Sequence, residues 1–162
     1  MGDIMNRKHG KIYALWIGLS EAVGILSGLL SRQGQMVFSE SVIQPPLSPP
    51  GWVFPVVWGI LYALMGISAA SVYLSAPSAA RSRGLNLFAA QLIVNFFWSP
   101  IFFNAQAFGF AFLWLVLLWV LVLWMILTFR KVDPVASWLQ IPYLLWLTFA
   151  VWLSLGVWYL NR

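Results

Sequence analysis

Few groups in this chain could do covalent chemistry, and they are far apart. There are four carboxylates, Asp3, Glu21, Glu40 and Asp133, one imidazole, His9, and no cysteine. General acid–base or nucleophilic catalysis needs such groups within hydrogen-bond reach of one another. Nothing in the spacing brings two of them together, and no set of residues has metal-ligand spacing. We assign no catalytic and no metal-binding residue. The sequence instead concentrates aromatic rings, with 11 Trp, 5 Tyr and 12 Phe. Residues 49–66 read PPGWVFPVVWGILYALMG. In them Trp52 and Trp58 lie in the first turns of a helix, and Trp58, Tyr62 and Met65 share a face at i, i+4 and i+7. In AAQLIVNFFWSPIFF, Gln91, Asn95, Trp98 and Phe102 form a second stripe. Trp146, Phe149, Ala150 and Leu153 line a third face. Rings of this kind stack, and a lone amide donates or accepts one directional bond. Such chemistry holds a flat, apolar guest.

The elements that must carry these stripes are membrane-spanning. Hydrophobic residues make up 62% of the 162 residues and charged residues 8%, against about 25% charged in a soluble domain. A span needs about 20 apolar residues. Five runs qualify, at about 12–30, 51–74, 84–103, 108–129 and 134–160, which predicts a single all-α membrane domain, a bundle of five transmembrane helices. Residues 31–50 are the longest connection and end in Pro45-Pro46 and Pro49-Pro50. Proline fixes its own φ and disfavours helix before it, so the loop is expected to be extended, stiff and lid-like. Pro100 is expected to bend the third span near its end, and Pro142 to kink the fifth. The fourth span is apolar on every face, and no chemistry is assigned to it.

Charge sets an expected orientation. Arg7, Lys8, Lys11, Arg81, Arg83, Arg130 and Lys131 fall on one side of a five-span topology, and only Arg32 and Arg162 on the other. The positive-inside rule places the N-terminus in the cytoplasm and the C-terminus and Pro-rich loop outside. Single cations between apolar runs argue against nucleic acid as a partner. Glu21 sits near the middle of the first span. A carboxyl there contacts a ligand or proton, or is satisfied by another helix. Gly24 and Gly28 form a GxxxG step that permits close helix contact.

The blocks PPGWVFPVVWGILYALMG, NFFWSPIFF and PYLLWLTFA resemble, in order and spacing, the translocator protein family. Its bacterial members are the tryptophan-rich sensory proteins and its animal members the peripheral-type benzodiazepine receptor. The resemblance covers about residues 45–161. It implies a five-helix bundle, usually a homodimer in the lipid bilayer, that binds porphyrins and haem and requires no cofactor. It also implies benzodiazepine-type drugs and sterols as ligands of animal members. The implied pocket residues are Trp52, Trp58, Asn95, Trp146 and Ala150. Phe102, Tyr143 and Phe149 belong to the same blocks, and Tyr62, Trp98 and Pro142 stand among them. Val157, Tyr159 and Arg162 fit the loose pattern proposed for sterol contact. Two positions depart from the family. Phe38-Ser39 stands where members carry Trp-Tyr, and Leu153-Ser154 where many carry Leu-Asn.

Three functions are open at this point. The first is a receptor or carrier for porphyrins and similar hydrophobic ligands. The second is light-dependent porphyrin degradation through Trp52, Trp58 or Trp146. The third is a structural, partner-binding protein, with Gly84, Ala89 and Ala90 as a further dimer surface.

Overall fold

The computed structural model describes residues 2–162, with side chains from Met5 onward. Among the described residues every regular element is helical. The first span is α1, Gly2–Leu30, and begins ten residues earlier than expected. Its basic start holds no proline, and Lys and Arg are good helix formers, so nothing stops the helix at residue 12. The second span is α3, Val53–Leu74, and the third α4, Ala79–Ser99. Between α1 and α3 lies a short helix, α2, Arg32–Ser41. The fourth span is α5, Phe108–Phe129, and the fifth is divided into α6, Pro134–Leu139, and α7, Ile141–Leu160. Counted as continuous stretches, five helices are long and apolar enough to cross a membrane, at Met5–Leu30, Val53–Leu74, Ala79–Asn104, Phe108–Phe129 and Pro134–Leu160.

Three expectations need correction. The 31–50 connection is extended only in its second half. Proline acts on itself and the residue before it, and the first of the four is Pro45, so Arg32–Ser41 is free to coil. Leu47, between the two proline pairs, turns the chain at φ 66°. The third span starts at Ala79 rather than 84, because Ser78 caps it. The Ser78 hydroxyl accepts from the Arg81 backbone N–H at 3.0 Å, satisfying an amide that would otherwise lack a partner. Pro142 does not kink a continuous helix. The break falls at Gln140, and Pro142 occupies the first turn of α7, where its missing N–H is no loss. Pro100, by contrast, acts where expected. From Pro100 to Asn104 the helix widens into a π turn, closed by Ala105 N–H to the Pro100 carbonyl at 3.0 Å.

The helices close into a ring in the order α1, α3, α6–α7, α5, α4 and back to α1. The contact of α1 with α3 is the closest. A Cβ on Gly66 would lie 2.4 Å from the Ile17 Cα, and one on Gly24 2.2 Å from the Tyr62 ring. In lipid, small residues let backbones approach and gain dispersion that bulkier ones forbid. The GxxxG step is thus used inside the protomer at Gly24, while Gly28 meets nothing within 4 Å. Gly84 is likewise filled, by the Phe129 ring. Beyond Tyr62 the ring is solid. Met65, Ala69, Val72, Phe88, Val122, Met125 and Phe129 are all buried. On the other side of Tyr62 it stays open.

Gly66→Ala should push α1 from α3 and destabilise the protein by about 1–3 kcal/mol, the usual range for overpacking. Gly18→Ala, with nothing within 4 Å of its Cβ, should leave stability unchanged or raise it slightly. Thermal unfolding in detergent checks both.

Candidate functional site

The open half of the bundle holds a cavity of about 520 Å³. All five spans, α2 and the Pro-rich loop contribute to its wall. From α3 come Phe54, Pro55, Trp58 and Tyr62, from α4 Asn95 and Trp98, and from the π turn Phe102 and Phe103. From α7 come Trp146, Ala150, Leu153, Ser154 and Val157. Their positions follow from helix periodicity, since Trp58 and Tyr62, Asn95 and Trp98, and Trp146 and Ala150 are each one turn apart. The rings also pack on one another. Trp146 meets Phe54 edge-on with centroids 5.9 Å apart. Trp98 stacks on Phe102 at 4.9 Å, and Phe38 of α2 reaches Phe102 at 5.3 Å.

Below the cavity runs a chain of hydrogen bonds. The Tyr62 hydroxyl donates to Asn95 Oδ1 at 2.5 Å. Asn95 Nδ2 donates to the Tyr143 hydroxyl at 2.7 Å, which donates to Gln91 Oε1 at 2.8 Å. The chain joins α3, α4 and α7, and all four side chains are buried. Asn95 therefore ties helices together and lines the cavity at once. Its oxygen and one N–H are engaged, which leaves the second N–H of the amide. Two other polar groups of the wall have no partner among the described residues, the Trp98 indole N–H and the Ser154 hydroxyl. An unpaired buried donor of this kind costs about 1–3 kcal/mol.

The outer end is covered by α2 and the loop, which are pinned rather than loose. The Asn161 amide accepts from Ile43 N–H at 3.0 Å and donates to its carbonyl at 2.8 Å. Pro45 sits on Gly156 of α7, and Gly34 fits against the Phe103 backbone of the π turn. Gln35, Ser39, Gln44 and Ser48 give this cover a polar inner side.

Of the residues singled out in the sequence, Trp58, Tyr62, Asn95, Trp98, Phe102, Trp146 and Ala150 line the cavity. Four do not. Trp52 is 69% exposed, at the start of α3. Pro142 is exposed, and Phe149 lies behind Trp146, 5.6 Å away. Tyr143 is buried beneath Asn95. The sterol-pattern residues part company, for Val157 lines the cavity and Tyr159 faces outward with the Arg162 guanidinium 4.3 Å over its ring. Leu115 and Leu118 of α5 also line the wall. The uniform apolarity of that helix hid which face they occupy. Phe54, one turn before Trp58, could have been found by the same i, i+4 rule.

Residues 16–160 match the model of a family described as TspO/MBR. The chain is 36% identical to the tryptophan-rich protein TspO of Chlorobaculum tepidum over 138 residues, 85% of this chain and 87% of that one. It is 38% identical to the translocator protein of sheep, Ovis aries, over 112 residues, 68% of this chain and 66% of that protein. It is 41% identical to the protein CrtK of Rhodobacter capsulatus over 112 residues, 68% and 70% of the two chains.

Asn95→Leu should strand the Tyr62 hydroxyl, while Tyr143 keeps its bond to Gln91, and destabilise the empty protein by about 1–3 kcal/mol. Combined with Tyr62→Phe, the effect should be less than additive, because both changes break one network. Unfolding curves of the single and double variants give the coupling.

Proposed function

Since the chain belongs to the TspO/MBR family, and is by its five apolar helices an integral multi-pass membrane protein with a receptor-type role, we propose that it binds porphyrin, haem and similar flat hydrophobic ligands in the cavity between Trp58, Trp98, Phe102 and Trp146. The observation that carries this reading is the meeting of Trp58 and Trp146, from two separate spans, on the wall of one cavity. Its volume falls in the range of about 300–1,000 Å³ typical of small-molecule sites. A planar ring system stacks on the indoles, each contact contributing about 0.5–1.5 kcal/mol beyond the area buried. Polar edges find the Trp98 N–H and the Ser154 hydroxyl, or the amides and hydroxyls beneath the loop. No iron ligand from the protein is invoked, so the tetrapyrrole is cargo rather than cofactor.

The same proposal extends to benzodiazepine-type drugs and sterols as occupants of this cavity. It includes a homodimer, for which the exposed Ala89 remains available. It also includes a cytoplasmic N-terminus, on the strength of the cations at that end of the bundle.

A second reading, light-driven degradation of bound porphyrin, is favoured by one feature. The Trp58 ring is 5.5 Å from that of Tyr62 and 6.1 Å from that of Tyr143, so an aromatic chain leads from the cavity into the bundle. Trp52, outside the cavity, has no part in it.

Titration with protoporphyrin should quench tryptophan fluorescence in the wild type. Trp58→Ala with Trp146→Ala should weaken binding about tenfold or more, from two lost stacking contacts, while Trp52→Ala leaves it unchanged. Unaltered affinity in the double variant would sink the binding reading. Loss of porphyrin absorbance in light but not in the dark, abolished by Trp58→Phe, would establish the second.

A further inference from the structure

Among the described residues Glu21 is the one charged side chain on the wall of the cavity. None of the nine Lys and Arg residues is on that wall. Glu21 is half-buried and has no hydrogen bond or ion pair among the described residues. It stands nine residues before the end of α1 at Leu30, about 14 Å along the helix axis, and so far from the polar cover. Gly24, one turn on, receives the Tyr62 ring against its backbone. Glu21 therefore occupies the inner end of the cavity, beside Tyr62. The hydroxyl of Tyr62 cannot serve it, being already given to Asn95.

A carboxyl in the middle of a span is expensive to keep and is ordinarily answered by a partner. In a low-dielectric site the ionised form is tolerated only beside an opposite charge. Among the described residues none lines the cavity. The wall thus has at its inner end a carboxyl whose ionised form only a cationic guest can stabilise, and only neutral donors at Trp98, Ser154 and Asn95. Apolar rings surround both.

We propose that Glu21 is the counter-charge of this cavity and selects, among flat apolar ligands, those that carry a protonated nitrogen. This rests on the reading of the cavity as a ligand site given above and names the ligand class more closely. A ring system with an ammonium or protonated ring nitrogen stacks between the indoles and donates its N–H to the Glu21 carboxylate. A ligand bearing carboxylates finds no counter-charge at the inner end and turns them toward the loop, where Gln35, Ser39, Gln44 and Ser48 provide donors. Glu21 sets orientation as well as preference.

The test uses three tricyclic probes of one size and different charge: 9-aminoacridine, protonated at neutral pH, anthracene, neutral, and anthracene-9-carboxylate. Each is titrated into the purified full-length protein in one non-ionic detergent, following tryptophan quenching against protein-free micelles. The wild type should bind the cation about tenfold more tightly than anthracene, a difference of about 1.4 kcal/mol, and the anion more weakly than either. Glu21→Gln should bring cation and neutral probe to equal affinity without changing anthracene. Glu21→Asp should keep part of the preference. Anthracene binding with no preference for the cation in the wild type, or a preference that survives in Glu21→Gln, overturns the assignment and leaves the cavity reading standing. A uniform loss of all three probes in both Glu21 variants shows that Glu21 supports the fold instead, and overturns it too. No binding of any probe to the wild type brings down the cavity reading and this proposal with it.

Discussion

The structure depends on a constraint that the bilayer imposes. Lipid is as apolar as a leucine side chain, so nothing comparable to the hydrophobic effect in water draws these helices together. What fixes α3, α4 and α7 in register is the polar sequence Tyr62, Asn95, Tyr143, Gln91, each donating to the next. All four are buried. None of these groups has a good alternative in hydrocarbon, where an unpaired amide or hydroxyl is penalised. The network is therefore specific beyond its net energy. A one-residue slip of any of the three helices would leave several members stranded.

The cavity follows from where that network lies. On one side of it α3 carries Gly66, Ser68, Ala69 and Ala70, and the helices close until side chains fill the ring. On the other side α3 carries Phe54, Pro55 and Trp58, and α4 gives way to the π turn at Pro100. Bulky rings and a widened turn do not let backbones approach. Trp98, Phe102 and Trp146 then stand around a space instead of interleaving across it. The Pro-rich loop can only cover such an opening, and Asn161 and Gly156 hold it there.

The five spans were legible because length and apolarity alone decide them. The stripes that meet at the cavity were legible too, because Trp58–Tyr62 and Asn95–Trp98 obey helical spacing. Other features were not, each for a local reason. α2 has no long apolar run and sits among loop-like residues, yet Phe38 docks on Phe102 and Gly34 fits the Phe103 backbone. That is tertiary contact, invisible to periodicity. Trp52 and Trp58 look equivalent in sequence, but six residues is well over one and a half turns, so they point to different sides. On α5 every face is apolar, so no pattern could single out Leu115 and Leu118. Gly24 was read as a helix–helix contact point and is the seat of the Tyr62 ring, because GxxxG spacing says only that something can approach.

Three polar groups on the wall stay unanswered within the protein: the Glu21 carboxyl, the Trp98 N–H and the Ser154 hydroxyl. Away from the wall the Ser20 and Ser31 hydroxyls and the Gln140 amide also lack partners among the described residues, while other polar groups are satisfied. Trp114 donates to the Val94 carbonyl at 2.8 Å, Trp119 to Thr148 at 2.9 Å, and Ser27 to the Phe96 carbonyl at 2.7 Å. The unanswered groups that stand on the wall of the cavity are available to a ligand that enters it. They also decide how selective it can be. Stacking on indoles accepts any flat ring and discriminates weakly, whereas a site that leaves polar groups unpaired rejects a guest that cannot engage them. The rings of this cavity therefore supply affinity, and its few unpaired polar atoms supply the choice.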